Sequence, residues 1–318
     1  MNPWRCAIVL ALGLSVLTPA VFTQQAADPL TTLSDEELLV RAGEYVRRVT
    51  GAMSTVLIEE RYVQVIKPWA LPPKEPDAEH LVWLEDLSAA RRDVVVRQRR
   101  QTRSDVLLVQ LPNRMWTAFR DTFEVNGRRQ ENREDRLRRL FVEQTEDSRR
   151  QLRRINERSA DWNLGGFYRE INLPTTGLLV IHAMYQPRFT FRRGEIQRSG
   201  PTPCRLVSFR ETAKPTLVRS LRERDVPLSG AACIDDTGVV WNTRLDLDGR
   251  FTARGAIEVS YGRHQRLDVL APDRMWEWYL LPEPDTQGLP LYVEALATYS
   301  NLRHFLRDDK RADQVSPD

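Results

Sequence analysis

Between residues 55 and 66 the apolar side chains Val56, Ile58, Tyr62 and Ile66 fall on even positions, the two-residue period of a half-buried strand. Glu60 and Gln64 interrupt that face, while Leu57, Val63 and Val65 lie on the other, so the strand assignment rests equally on β-branched and aromatic content. Similar segments follow at Ser88–Arg99, Ser104–Leu111 and Trp116–Val125. The last runs into Asn126-Gly127, the pair favoured by a type I′ hairpin. After Pro174 strand signals recur at 188–192, 205–211, 216–221, 230–235, 239–247, 252–261, 267–269, 274–281 and 291–305. Turn formers such as Asp236-Thr237-Gly238 and Asp248-Gly249 separate them.

Two stretches carry helical spacing. Ser34 followed by Asp35, Glu36 and Glu37 supplies an N-cap and an acidic first turn, and Leu38, Leu39, Ala42, Tyr45 and Val46 continue the pattern to near Gly51. Residues 133–163 read as a charged helix with Leu137, Leu140, Phe141, Leu152 and Ile155 as its apolar positions. Leu178-Leu179-Val180-Ile181 fits either a buried helical turn or a core strand, and Pro68, Pro72, Pro73 and Pro76 mark a loop. Strands joined by short turns must run antiparallel. The pattern predicts an α+β fold: a large curved antiparallel β-sheet, an incomplete barrel, with helices covering the concave face and an apolar groove wherever that cover falls short.

The 318 residues are 41% hydrophobic and carry a net charge of +3, which describes a globular chain and gives no reason to expect a nucleic-acid partner. Arg5 followed by the apolar run Ala7–Leu17 and Pro19 reads as a cleaved signal peptide, because a spanning helix needs about 20 apolar residues. Cleavage is expected between Ala20 and Ala27. The domain reading is a signal peptide at 1–27, a single domain at 28–306 containing the Arg-rich helical segment 133–163, and a disordered tail at 307–318, in a periplasmic or secreted protein. Losing Cys6 leaves Cys204 and Cys233, either a disulfide or two buried thiols. Within 128–158 there are 11 arginines against 7 acidic residues. Their spacing favours a solvated helix stitched by surface ion pairs over a basic interaction face.

Candidate chemistry is sparse. The sequence has no nucleophile elbow, metalloprotease motif, phosphate-cradling glycine loop or dinucleotide fingerprint, and its four histidines are scattered away from the cysteines. No catalytic residue, metal site or cofactor is expected. Large aromatics remain as candidates for an apolar wall: Tyr62, Trp116, Phe123, Trp241, Trp276 and Trp278.

The segments Ile234-Asp235-Asp236-Thr237-Gly238-Val239-Val240 with Thr243-Arg244-Leu245, and Ala297-Thr298-Tyr299-Ser300-Asn301-Leu302-Arg303-His304-Phe305, resemble a group of secreted acidobacterial proteins. Phe123-Glu124-Val125-Asn126-Gly127 and Gln186-Pro187-Arg188-Phe189 are similar to it too. More distantly, the succession of strands resembles the outer-membrane lipoprotein-sorting and carrier superfamily. That resemblance implies a curved sheet whose concave apolar face, covered by helices, holds a lipophilic ligand or a lipoprotein acyl chain; peripheral membrane contact is a further expectation, and the missing catalytic motifs predict no catalysis. The alternatives are a periplasmic protein-interaction module and a hydrolase without a recognisable motif.

Overall fold

The computed structural model describes residues 29–68, 78–85, 95–110, 116–130, 136–143, 145–165, 171–198, 202–220, 222–249, 253–265 and 267–304. The signal segment 1–27, the tail 307–318, the proline-rich stretch 69–77 and most of the strand expected at 88–99 lie outside the described residues. In chain order the elements are α1 (Pro29–Thr32), α2 (Asp35–Met53), β1 (Val56–Pro68), α3 (Ala78–Glu85), β2 (Gln98–Gln110), β3 (Trp116–Val125), β4 (Arg128–Arg129), α4 (Arg136–Glu143) and α5 (Glu146–Arg158). A 3-10 turn at Ser159–Trp162, α6 (Thr176–Ile181) and a second 3-10 turn at Gln186–Arg188 lead to the second half. There follow β5 (Phe189–Gln197), β6 (Cys204–Glu211), β7 (Val218–Arg219), β8 (Asp225–Val226), β9 (Leu228–Ile234), β10 (Val240–Gly249), β11 (Ala253–Arg263), β12 (Leu270–Leu280) and β13 (Leu291–His304).

Eleven strands form one antiparallel sheet in the order β4-β3-β2-β1-β13-β12-β11-β10-β9-β6-β5, with β7 and β8 pairing separately. Two meanders are thus joined through β1 and β13, where Tyr62 faces Ala297 and Val65 faces Glu294. The sheet is open: its margins are β4 and β5, and it does not close into a barrel. The turn after β3 follows its sequence, with Asn126 and Gly127 at φ 48° and 76° as a type I′ turn requires. In β13 a bulge opposite Ile58 is made by Asn301 at φ 49°.

Trp116 and Ala118 of β3, Phe209 of β6 and the buried face of α2 (Leu38, Ala42, Tyr45, Val46, Val49, Met53) belong to one apolar cluster. The 19-residue α2, about 28 Å long, packs on β2, β12 and β10 within it. The start of α2 is fixed by a capping box, Glu37 N–H donating to Ser34 Oγ at 3.2 Å and Ser34 N–H donating to Glu37 Oε2 at 3.0 Å.

The helical cover is divided between the two faces. Even positions of β1, with Val106 and Leu108 of β2, meet α2 and α6. Leu57 and Leu107, one residue out of step, meet Leu137 and Leu140 of α4 and Ile155 of α5 on the opposite face. There too α3 sits, packing Trp83 and Leu84 on Val65, Trp276, Trp278 and Leu296. The expected single helix at 133–163 is therefore two helices and a 3-10 turn, which wrap the β3 margin from one face to the other. The expected strand at 267–269 is a bend before β12, and Leu178–Ile181 resolves as helix.

Candidate ligand-binding interior

All six aromatic wall candidates are buried, from 3% exposed at Trp276 to 8% at Trp116 and Trp241, and they do not share one surface. Tyr62, Trp116 and Trp241 belong to the interior under α2 and α6. Trp276 and Trp278 alternate as expected, but Trp276 faces Leu296 and Trp278 faces Glu294, which puts both on the α3 side. Phe123 sits at the bulge between β2 and β3, beneath the guanidinium of Arg103 at 5.3 Å. The reason is the strand period: two residues on one strand share a face only if their spacing is even, and position on the sheet decides which face that is.

Under α2 and α6 the apolar interior is crossed by a buried polar band that the aromatic pattern did not reveal. Glu60 and Gln64, which interrupted the apolar face of β1, are 1% and 0% exposed. Arg120 of β3 donates Nε–H to Glu60 Oε1 at 2.9 Å and Nη2–H to the Asn172 carbonyl at 2.6 Å. Burial disfavours its charge, but the Glu60 carboxylate outweighs that and holds the guanidinium pKa above its ordinary value. Tyr299, on β13 opposite Glu60, has its phenol pushed well up by burial and by the same carboxylate. Across β13, Glu277 of β12 accepts the hydroxyls of Tyr62 and, at 2.7 Å, Tyr279. Gln64 clamps the segment that crosses the sheet, donating Nε2–H to the Trp162 carbonyl at 2.9 Å and accepting Leu164 N–H at 2.9 Å.

Among the described residues the cover has few polar ties, one of them the Asp35–Arg193 ion pair at 3.5 Å. Tyr45 Oη accepts Leu270 N–H at 3.0 Å, Arg41 donates to the Asp236 carbonyl at 2.7 Å, and Gln186 Nε2–H reaches the Leu39 carbonyl at 3.0 Å. Burial pushes the Tyr45 phenol up to about 12, so it stays a neutral hydrogen-bonding group. The turn that receives Arg41 is built on Asp235, whose Oδ1 accepts the N–H groups of Thr237 and Val239 and whose Oδ2 accepts Trp241 Nε1–H at 2.9 Å.

On the opposite face a second polar centre anchors α3. Glu294 pairs with Lys67 and accepts Trp276 Nε1–H, with His80 Nε2 also 2.8 Å from it. The Lys67 ammonium lies over the rings of Trp83 at 4.9 Å and Tyr292 at 5.6 Å. Burial alone would raise the Glu294 carboxyl; the His80 hydrogen bond and the Lys67 charge outweigh it and hold the pKa below the usual carboxylate range. A depressed folded-state pKa contributes stability that is present above the unfolded value and lost as pH falls through the folded one. Glu294→Gln is therefore expected to lower the urea midpoint at pH 7 and to flatten the acid limb. An acid limb as steep as that of the unmodified chain would show that Glu294 does not set it.

The structure joins Cys204 of β6 to Cys233 of β9 by a disulfide, with their Cα atoms 5.4 Å apart. Among the described residues no group of three or more His, Cys, Asp and Glu could hold a metal ion, and no helix is long and apolar enough to cross a membrane. Of the histidines, His182 Nδ1 accepts Met184 N–H and His304 Nδ1 lies 3.5 Å from Thr55 Oγ1. His80 does meet a carboxylate, but one already committed to Lys67 and Trp276, the wiring of an anchor for α3.

No protein-family model matches the chain, and no curated protein matches it. Among solved structures it is similar to a DUF1329 family protein from Desulfovibrio piger, at 9% sequence identity and a TM-score of 0.30, over 87% of this chain and 93% of that one.

Proposed function

We propose that the chain is an exported binding protein of the lipoprotein-carrier type, which holds a lipophilic ligand between the curled sheet and its α2–α6 cover without covalent chemistry. One observation carries this reading: one apolar cluster runs from Trp116 to Phe209, and the helix that packs on it is tied to the rest of the chain by few polar contacts among the described residues. Displacing α2 would expose a surface suited to an acyl chain, at about 25 cal/mol per Å² of apolar area transferred. On this reading α2 stands where the ligand would go, and its displacement is the opening step. The turn under α2 offers a handle on that equilibrium. Gly238 has φ +87°, and a Cβ there would lie 2.5 Å from the Arg41 backbone carbon.

The test is displacement of a fluorescent fatty-acid probe by phospholipid in delipidated protein, together with native mass spectrometry for co-purified lipid. Saturable probe binding is expected, and Gly238→Val should strengthen it by loosening the seat of α2. Absence of binding in both well-folded proteins would overturn the proposal. A second reading, a protein-interaction module, is favoured by the burial of all six aromatic candidates within the chain itself. It predicts no lipid uptake at all.

A further inference from the structure

At the β3 margin the chain builds a cavity of about 220 Å³ that is unlike the interior under α2. Because β4 pairs only with Glu124 and Val125, most of β3 is left as an edge, and α5 with the following 3-10 turn closes over it. The lining brings together Arg120, Arg136, Arg154 and Arg158, with Gln151 and Trp162 beside them. Two of the four are already answered. Arg120 is held by Glu60, and Arg136 Nε–H donates to Asp121 Oδ2 at 2.6 Å. Asp147, also in the lining, accepts Gln151 Nε2–H and lies 3.6 Å from Arg150.

Arg154 and Arg158 are different. They lie one turn apart on α5, a spacing at which like charges repel, and neither makes an ion pair or side-chain hydrogen bond among the described residues. Within α5, Asp147 lies in an i, i+3 ion pair with Arg150, N-terminal to Arg154 and Arg158 in sequence. Among the described residues the cavity thus presents two planar, multi-donor cations with no ion-pair partner, beside two more arginines already fixed in place. A carboxylate would answer one of them. A phosphomonoester, with a charge of about −1.5 to −2 at neutral pH and three acceptor oxygens, answers both.

We propose that this edge cavity binds a phosphomonoester, with Arg154 and Arg158 taking the phosphoryl oxygens and Trp162 flanking the attached group. The phosphate is either part of a soluble ester or the headgroup of a lipid. The site shares Arg120 with the band under α2 and α6, but Arg154 and Arg158 lie on α5 outside that interior, so variants at these two positions test it apart from the α2 proposal.

The experiment is calorimetric titration of the full mature protein with glycerol 3-phosphate, and flotation with vesicles of phosphatidylcholine alone or containing phosphatidic acid. Arg154→Gln and Arg158→Gln, both at exposed positions, are expected to weaken binding by about tenfold each, the loss of one charge-assisted contact. Arg153→Gln, exposed on the same helix but outside the lining, should leave it unchanged. Arginine-dependent binding to vesicles but not to the soluble ester assigns the lipid headgroup, and binding to the ester assigns a soluble phosphate compound. No saturable binding in either arm, or binding indifferent to Arg154 and Arg158, overturns the proposal. The fatty-acid probe should bind these variants as it binds the unmodified chain.

Discussion

Replacing Arg120 with leucine is expected to destabilise the fold by about 3–5 kcal/mol, the range seen when one partner of a buried ion pair is removed. The pair itself need not contribute much net stability, because its formation from solvated charges costs nearly what the attraction returns. What the substitution leaves behind decides the magnitude. Glu60 is 1% exposed and would keep its carboxylate beside the Tyr299 phenol with no cation to answer it, and the Asn172 carbonyl would lose its donor as well. A double-mutant cycle separates these effects. Glu60→Gln combined with Arg120→Leu should recover part of the loss, because a neutral amide costs less to bury than an unpaired charge. Urea unfolding of the four proteins is the measurement. A loss below about 1 kcal/mol for Arg120→Leu, the scale of an exposed pair, would show that water reaches this centre.

Breaking the Cys204–Cys233 bond carries the second large effect. The bridge closes a loop with a sequence separation of 29, for which the chain-entropy model gives about 3–4 kcal/mol of stabilisation. Both sulfurs lie in the buried apolar cluster near the β5 margin of the sheet, where fewer elements share the load than at the β1–β13 centre. Reductant, or Cys204→Ala with Cys233→Ala, is expected to lower the unfolding midpoint accordingly. Thiol titration of the denatured, unreduced protein should find neither Cys204 nor Cys233 free, and recovery of both as thiols would remove the bond from the fold.

The strands were legible where side-chain period and turn chemistry agreed, as at Trp116–Val125 with Asn126-Gly127 and at Trp276 and Trp278 on their shared face. The polar band was hidden by the same rule. Glu60 and Gln64 looked like faults in the alternation of β1, whereas the period holds throughout and two of its buried positions happen to be polar. Their partners could not be read locally, since Arg120 lies 60 residues from Glu60 and the Trp162 carbonyl 98 from Gln64. An even-face carboxylate and amide on an otherwise apolar strand were nonetheless a usable signal that polar partners had to exist. The division of helices between faces was illegible for another reason: amphipathic spacing shows that a helix has an apolar side, but which side of a sheet receives it depends on where the connecting chain crosses the margin.

The pairing of β1 with β13 has a consequence for the order in which the molecule can assemble. The first meander, β1 to β4, is local and can form early, but it carries β1 with one ladder unfilled. Contacts across the seam, such as Tyr62 with Glu277, span 215 residues, and pairing at that range is slow because loop closure precedes any gain from contact. Until β13 arrives, the bare flank of β1 is a template for another copy of itself. A chain ending before Leu291 would keep both β1 and β12 as unguarded flanks, and should be recovered as aggregate even though every residue of the first meander is present.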